Sequence, residues 1–151
     1  MIRTWVIPNP DSRQEFKVEI CEPPLTGDNL GLKTWGTAYV MAKNLEEIGR
    51  KYLQATLNPD SGSPRILELG AGTGLLGIAA AMLWAGSFTL TDLPQILPNL
   101  SSNVLRNKDK LVGSVEVEVL VWADLEQLEP ELVRGRELFD VSISSPPLNM
   151  D

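Results

Sequence analysis

The chain has no histidine and a single cysteine, and these two shortages remove whole classes of chemistry before any motif is read. Without histidine there is no imidazole general base, no Ser-His or Cys-His couple and no His-ligated zinc. Cys21 alone can neither close an internal disulfide nor build a cysteine metal cage, so it is read as an ordinary half-buried residue and no metal site is expected. Positive charge is short as well: 13 Lys and Arg stand against 20 Asp and Glu, a formal net charge of −7. That balance argues against broad contact with a phosphate backbone and is compatible with a basic protein substrate. No apolar stretch is long enough to span a bilayer, and Met1-Ile2-Arg3-Thr4-Trp5 does not begin a signal-peptide pattern. The expected setting is therefore the cytoplasm, with the nucleus as the alternative and no membrane partner. What is present suffices for one small domain: 151 residues, 43% of them hydrophobic.

The most informative stretch runs from Ile66 to Gly77, I-L-E-L-G-A-G-T-G-L-L-G. Arg65 to Leu69 is an apolar run of strand length, and Leu75, Ile78, Ala79, Met82 and Leu83 follow at helical spacing, so the glycines fall on a strand-to-helix turn. Glycine suits such a turn because the backbone bends sharply and a ligand approaches where a Cβ would collide, while the free N–H groups of the helix start face that ligand. The dinucleotide fingerprint G-x-G-x-x-G would place its third glycine at position 75, which is Leu75. The pattern present is instead E-x-G-x-G-x-G, from Glu68 to Gly74. A second short strand, Phe88 to Asp92, ends in a carboxylate about 20 residues on, where Rossmann-type sites place a ribose-binding acid. Two readings of Asp92 stay open: it holds ribose hydroxyls, or it caps a helix beginning near Pro94.

Upstream, Trp5 to Ile7 and Phe16 to Ile20 are strand-like around the turn residues Pro8 to Ser12, which predicts a hairpin. Pro23-Pro24 and Gly27 to Asn29 mark a loop, after which Ala38, Met41, Leu45, Ile48 and Tyr52 define one face of an amphipathic helix. Downstream, Ile96, Leu100 and Val104 predict a helix ending near Asn107, and Val115 to Trp122 alternates as a third strand. Leu125, Leu128, Leu132 and Val133 mark a short helix and Phe139 to Ser144 a fourth strand. The alternation from Arg65 onward is that of an α/β, doubly wound, mainly parallel sheet. Two segments of one structural unit are expected: residues 1–64 as hairpin and helix extension, and 65–151 as a Rossmann-like cofactor domain.

These residues together resemble a known family. The E-x-G-x-G-x-G pattern is similar to the first motif of seven-strand S-adenosylmethionine (SAM) methyltransferases, and Trp35-Gly36-Thr37-Ala38, the block from Glu68 to Ala81, Thr91-Asp92 with Asn99 to Asn103, and Val121-Trp122-Ala123-Asp124 look like methyltransferase family 16. That family consists mostly of protein-lysine methyltransferases, and Asp92-Leu93-Pro94 is similar to a fungal branch acting on translation factors. The resemblance implies SAM as cofactor, a protein lysine as substrate, Trp35 lining the SAM pocket, Glu68, Gly70, Gly72 and Gly74 as its first wall, Asp92 on the ribose, and Trp122 to Asp124 along the adenine. Beside each stands a plainer reading: Trp35 and Trp122 as core aromatics, Glu68 as a solvated strand end, Asp124 as a helix cap. No catalytic side chain is assigned.

The tail departs from the family. An acid followed shortly by an aromatic is expected after the fourth strand, but Ser144-Ser145-Pro146-Pro147-Leu148 stands there, and further strands are absent. The sequence therefore reads as a C-terminally incomplete form of the fold, expected to be poorly folded and catalytically silent alone, since an internal strand would become an edge. Two other functions are weighed against lysine methylation. One is a non-catalytic, truncated SAM-binding fragment. The other is amine methylation of nucleic acid or a small molecule, because Ser-Pro-Pro is similar to an amine-gripping motif, although Leu148 replaces its aromatic and the chain is acidic.

Overall fold

A computed structural model describes residues 1–9, 15–24, 30–121 and 139–144 of the chain. The expected hairpin is present: β1 (Ile2–Ile7) and β2 (Phe16–Cys21) pair antiparallel, with Ile2 opposite Cys21 and Ile7 opposite Phe16. The alternation of β2 sends Val18 and Ile20 fully into the core. Most of the predicted turn and the Gly27 to Asn29 loop lie outside the described residues, as do the helix from Leu125 to Val133 and the tail after Ser144.

Helix α1 (Gly36–Tyr52) forms where the apolar spacing placed it, but its buried face is rotated. Ala38, Ala42, Leu45 and Gly49 are buried, Met41 and Ile48 are half-buried, and Tyr52 is exposed. The reason is close packing: α1 lies on the following helix, and a Cβ at Gly49 would stand 3.1 Å from the Trp84 and Leu57 side chains. A tight helix contact selects small residues, and a pattern built on large apolar ones misses them.

Among the described residues, four parallel strands make the sheet: β3 (Arg65–Leu69), β4 (Ser87–Asp92), β5 (Ser114–Val119) and β6 (Val141–Ser144), in the order β5-β4-β3-β6. All four were expected, with β5 and β6 shorter than their sequence runs. The chain adds strands outward from β3 to β5 and then returns to place β6 on the other side of β3. The reversal puts the topological switch point between β3 and β6, and in doubly wound sheets ligands bind outside the carboxyl ends of the strands at such a point. Among the described residues, β6 pairs only with β3.

Helix α2 (Leu75–Leu83) is buried from Leu75 to Met82 on every face, because the sheet covers one side while α1 and β2 cover others. Helix α3 (Leu97–Arg106) carries Asn99 and Asn103, followed by Asn107 at its C-cap, and this row meets the outer edge of β2. Asn103 accepts from Cys21 N–H at 2.8 Å and donates to Cys21 C=O at 3.3 Å; Asn107 accepts from Glu19 N–H at 3.0 Å and donates to its C=O at 2.8 Å. Asn99 also donates to Cys21 C=O, at 3.2 Å. Four residues of helix rise about 6 Å and two residues of strand about 6.6 Å, so side-chain amides spaced by four can serve successive outward peptide groups of a strand. The edge of β2 is thereby closed by a helix instead of by another strand. Hydrophobic residues of β1, β2, α1, α2, β3, β4 and α3 form one buried cluster. No helix among the described residues is long and apolar enough to cross a membrane.

Candidate functional site

The turn after β3 sits at the switch point of the sheet. Gly70, Gly72 and Gly74 have φ of +67°, +57° and +85°, in the left-handed region that side chains disfavour, which explains three glycines at alternate positions. Space is limiting too: a Cβ at Gly74 would stand 2.6 Å from Leu100, and one at Gly72 would stand 3.2 Å from the Gly31 carbonyl. The end of β4 holds the turn from one side. Ala71 N–H donates to Thr91 C=O at 2.9 Å, Gly72 N–H to Asp92 Oδ2 at 2.6 Å, and the Thr91 hydroxyl to Glu68 C=O at 2.7 Å.

Asp92 uses its other oxygen, Oδ1, to accept from Leu93 N–H at 2.7 Å. The helix-cap reading of Asp92 fails, because α3 begins only at Leu97 with Ile96 as its N-cap and no side-chain cap. A carboxylate offers about four lone-pair sites and two are used here, so this half-buried acid keeps acceptor capacity for further donors. The backbone of Asp92 also accepts from Leu120 N–H at 2.9 Å, which carries the chain after β5 past the same point. Trp122 and Asp124 themselves lie outside the described residues.

Glu68 is not a solvated strand end: it is 1% exposed. Its register partners Leu90 and Ile143 share its face of the sheet, which α2 covers, and a Cβ at Gly77 would collide with its carboxylate. Neither carboxylate oxygen has a hydrogen-bond partner among the described residues. Burial pushes the carboxyl from an ordinary 4.5 up to about 8; the Gly77 backbone in the first turn of α2 lowers it, and the charge of Asp92 raises it further. Trp35 is the extended N-cap of α1 and half-buried.

Sequence reasoning missed the residues that hold the turn from the other side. Thr34 Oγ1 lies 2.8 Å from Thr73 Oγ1, and Asn103 Nδ2 donates to Thr73 C=O at 3.0 Å. The available signal was the asparagine row at 99, 103 and 107, a polar stripe on a helix face that tertiary structure buries. No group of three or more Cys, Asp or Glu among the described residues is placed to hold a metal.

Comparison with known proteins agrees with this geometry. A family model described as lysine methyltransferase matches residues 13–144. The protein-lysine N-methyltransferase EFM2 of Saccharomyces cerevisiae is 33% identical over 142 residues, covering 87% of this chain and 33% of that protein. The protein-lysine N-methyltransferase rrg1 of Schizosaccharomyces pombe is 38% identical over 122 residues, covering 75% and 37%. The mouse EEF1A lysine methyltransferase 3 is 36% identical over 94 residues, covering 60% and 40%. The chain thus spans a third or somewhat more of the length of these relatives. A match over most of the sequence, on a parallel sheet with a glycine turn at its switch point, leaves one assignment: this chain belongs to the lysine methyltransferase family.

Proposed function

We propose that the chain carries the cofactor-binding part of a SAM-dependent protein-lysine methyltransferase. The single observation behind this reading is the three-glycine turn at the end of β3, pinned through Gly72 to the acid that ends β4. The turn fits SAM better than a dinucleotide, since the third fingerprint glycine is replaced by a fully buried Leu75. Glu68 lies near the end of β3 just before this turn, and its buried carboxyl, without a hydrogen-bond partner among the described residues, is compatible with the same reading. In this assignment Gly70, Gly72 and Gly74 admit the ligand to the backbone, Asp92 accepts from ribose hydroxyls, Trp35 borders the pocket, and Trp122 and Asp124 border the adenine.

When bound, SAM supplies a methyl group on a sulfonium for in-line attack by an uncharged lysine amine. The chain's own contribution is positioning and exclusion of water: the turn fixes the ligand, and Asp92 fixes the turn. The relative named for EEF1A makes an EEF1A-like protein the first substrate to test. Isothermal titration should show binding of SAM and S-adenosylhomocysteine (SAH) and none of NAD. Binding of NAD without response to SAH would overturn the assignment. For the substrate, a longer relative incubated with labelled SAM and lysate should yield methyl-lysine; label in nucleic acid would favour amine methylation there.

A further inference from the structure

Thr73 is held by partners from two other parts of the chain, and these partners are tied to one another through the end of the hairpin. Its hydroxyl meets Thr34 at 2.8 Å and its carbonyl accepts from Asn103 at 3.0 Å. Asn103 in turn grips both the N–H and the C=O of Cys21 at the end of β2. The next residue, Glu22, accepts from Thr34 N–H at 3.1 Å through Oε1, and its Oε2 lies 3.4 Å from Arg3 Nε on β1. The contacts therefore close a circuit from the end of the hairpin through Thr34, Thr73 and Asn103 back to the hairpin.

Thr34 is 7% exposed, Thr73 3% and Asn103 0%, so water does not compete for these bonds. Thr73 is flanked by Gly72 and Gly74, the residues with the most backbone freedom to lose. The β4 side secures Ala71 and Gly72, Gly74 N–H closes the turn onto Ala71 C=O at 2.8 Å, and Thr73 is the point at which side chains from outside the sheet reach the turn.

We propose that Thr34 and Asn103 are positioning residues for cofactor binding: they join the N-terminal hairpin to the glycine turn through Thr73 and hold the turn in its binding shape before the ligand arrives. This rests on the cofactor reading above. A preorganised turn binds more tightly because its ordering cost is met on folding.

The test uses the whole 151-residue chain. Thr34→Val removes the hydroxyl at nearly constant shape, Thr34→Ser keeps it, and the double variant Thr34→Val/Thr73→Val leaves no buried hydroxyl unpaired, so it folds even where the single variant suffers. SAH affinity is measured by titration well below the melting temperature, and amide exchange over residues 70–74 is measured without ligand. Thr34→Val and the double variant should bind SAH about tenfold more weakly and exchange faster over 70–74, while Thr34→Ser stays close to the parent chain. Unchanged exchange over 70–74 in the folded double variant overturns the proposal whatever the affinities, as does faster exchange with unchanged SAH affinity. If the parent chain itself fails to bind SAH, the cofactor reading falls and with it the role in binding, whereas the exchange result still reports whether the hairpin holds the turn.

Discussion

Asp92 and Glu68 end neighbouring strands with the same functional group in opposite conditions. Asp92 accepts from two backbone N–H groups and stays half-buried. Asp92→Ala should weaken SAH binding by about 1.5 to 3 kcal/mol, the usual worth of a charge-assisted hydrogen bond with its partner left behind, and titration calorimetry reads this directly. Among the described residues Glu68 has no full hydrogen bond of this kind, only the nearby Gly77 backbone, and burial holds its carboxyl near 8. Its folded-state value lies above the ordinary 4.5, so between those two values the folded chain keeps a proton that the unfolded chain has released. The stability contributed by this proton is complete below about pH 4.5 and is lost as pH rises toward 8. Glu68→Gln should therefore remove part of the decline in ligand-free melting temperature between pH 5 and pH 8.5, and equal slopes for the two proteins would contradict the assigned burial. The positions of both acids were legible in the sequence, because strand ends and glycine spacing are local. Which of them faces α2 depends on the sheet's pleat and covering, which spacing alone does not specify.

The elements themselves were largely legible, since periodicity is a local signal. Among the described residues, the four strands of the sheet, the hairpin and helices α1, α2 and α3 lie where the spacing of apolar residues puts them, with β1 beginning at Ile2, ahead of its predicted run. Two features depended on contacts between elements and were not visible. The buried face of α1 follows its small residues, because helix-to-helix distance decides what fits. The asparagine row on α3 is a polar stripe until β2 is laid against it, and only then does it become an edge closure. Asn107 is fully buried and donates as well to Asn103 C=O at 2.8 Å. Asn107→Ala leaves both peptide groups of Glu19 without their partner and should cost about 1 to 3 kcal/mol, readable as a lower urea midpoint with unchanged slope. A midpoint indistinguishable from the parent chain would show that the row is not a structural closure.

For the molecule as a whole, the division at residue 64 separates sequence patterns more than it separates structure. Ile7, Val18 and Ile20 of the hairpin and Leu45 of α1 share one buried cluster with Leu75, Ile78, Phe88 and Leu100. Helix α2 is apolar around its whole circumference, so without the hairpin and α1 it would present its outer face to water. The same removal would leave Asn103 and Asn107 facing no strand. The parallel sheet was implicit in the alternation of strands and helices, but its order was not, because alternation does not say after which strand the chain returns past β3. The sharing of the core was not implicit either, because nothing in the spacing of β2 says which helices it covers. Hairpin and sheet should therefore open as one unit, at whatever denaturant concentration the chain unfolds. Amides of Val18 and Ile20 in β2 should then show the same opening free energy and the same denaturant dependence as those of Ile66 and Glu68 in β3, measured by native-state hydrogen exchange. If the β2 amides exchange through a smaller opening while β3 stays protected, the hairpin is a separately folding attachment and the shared core does not couple the two.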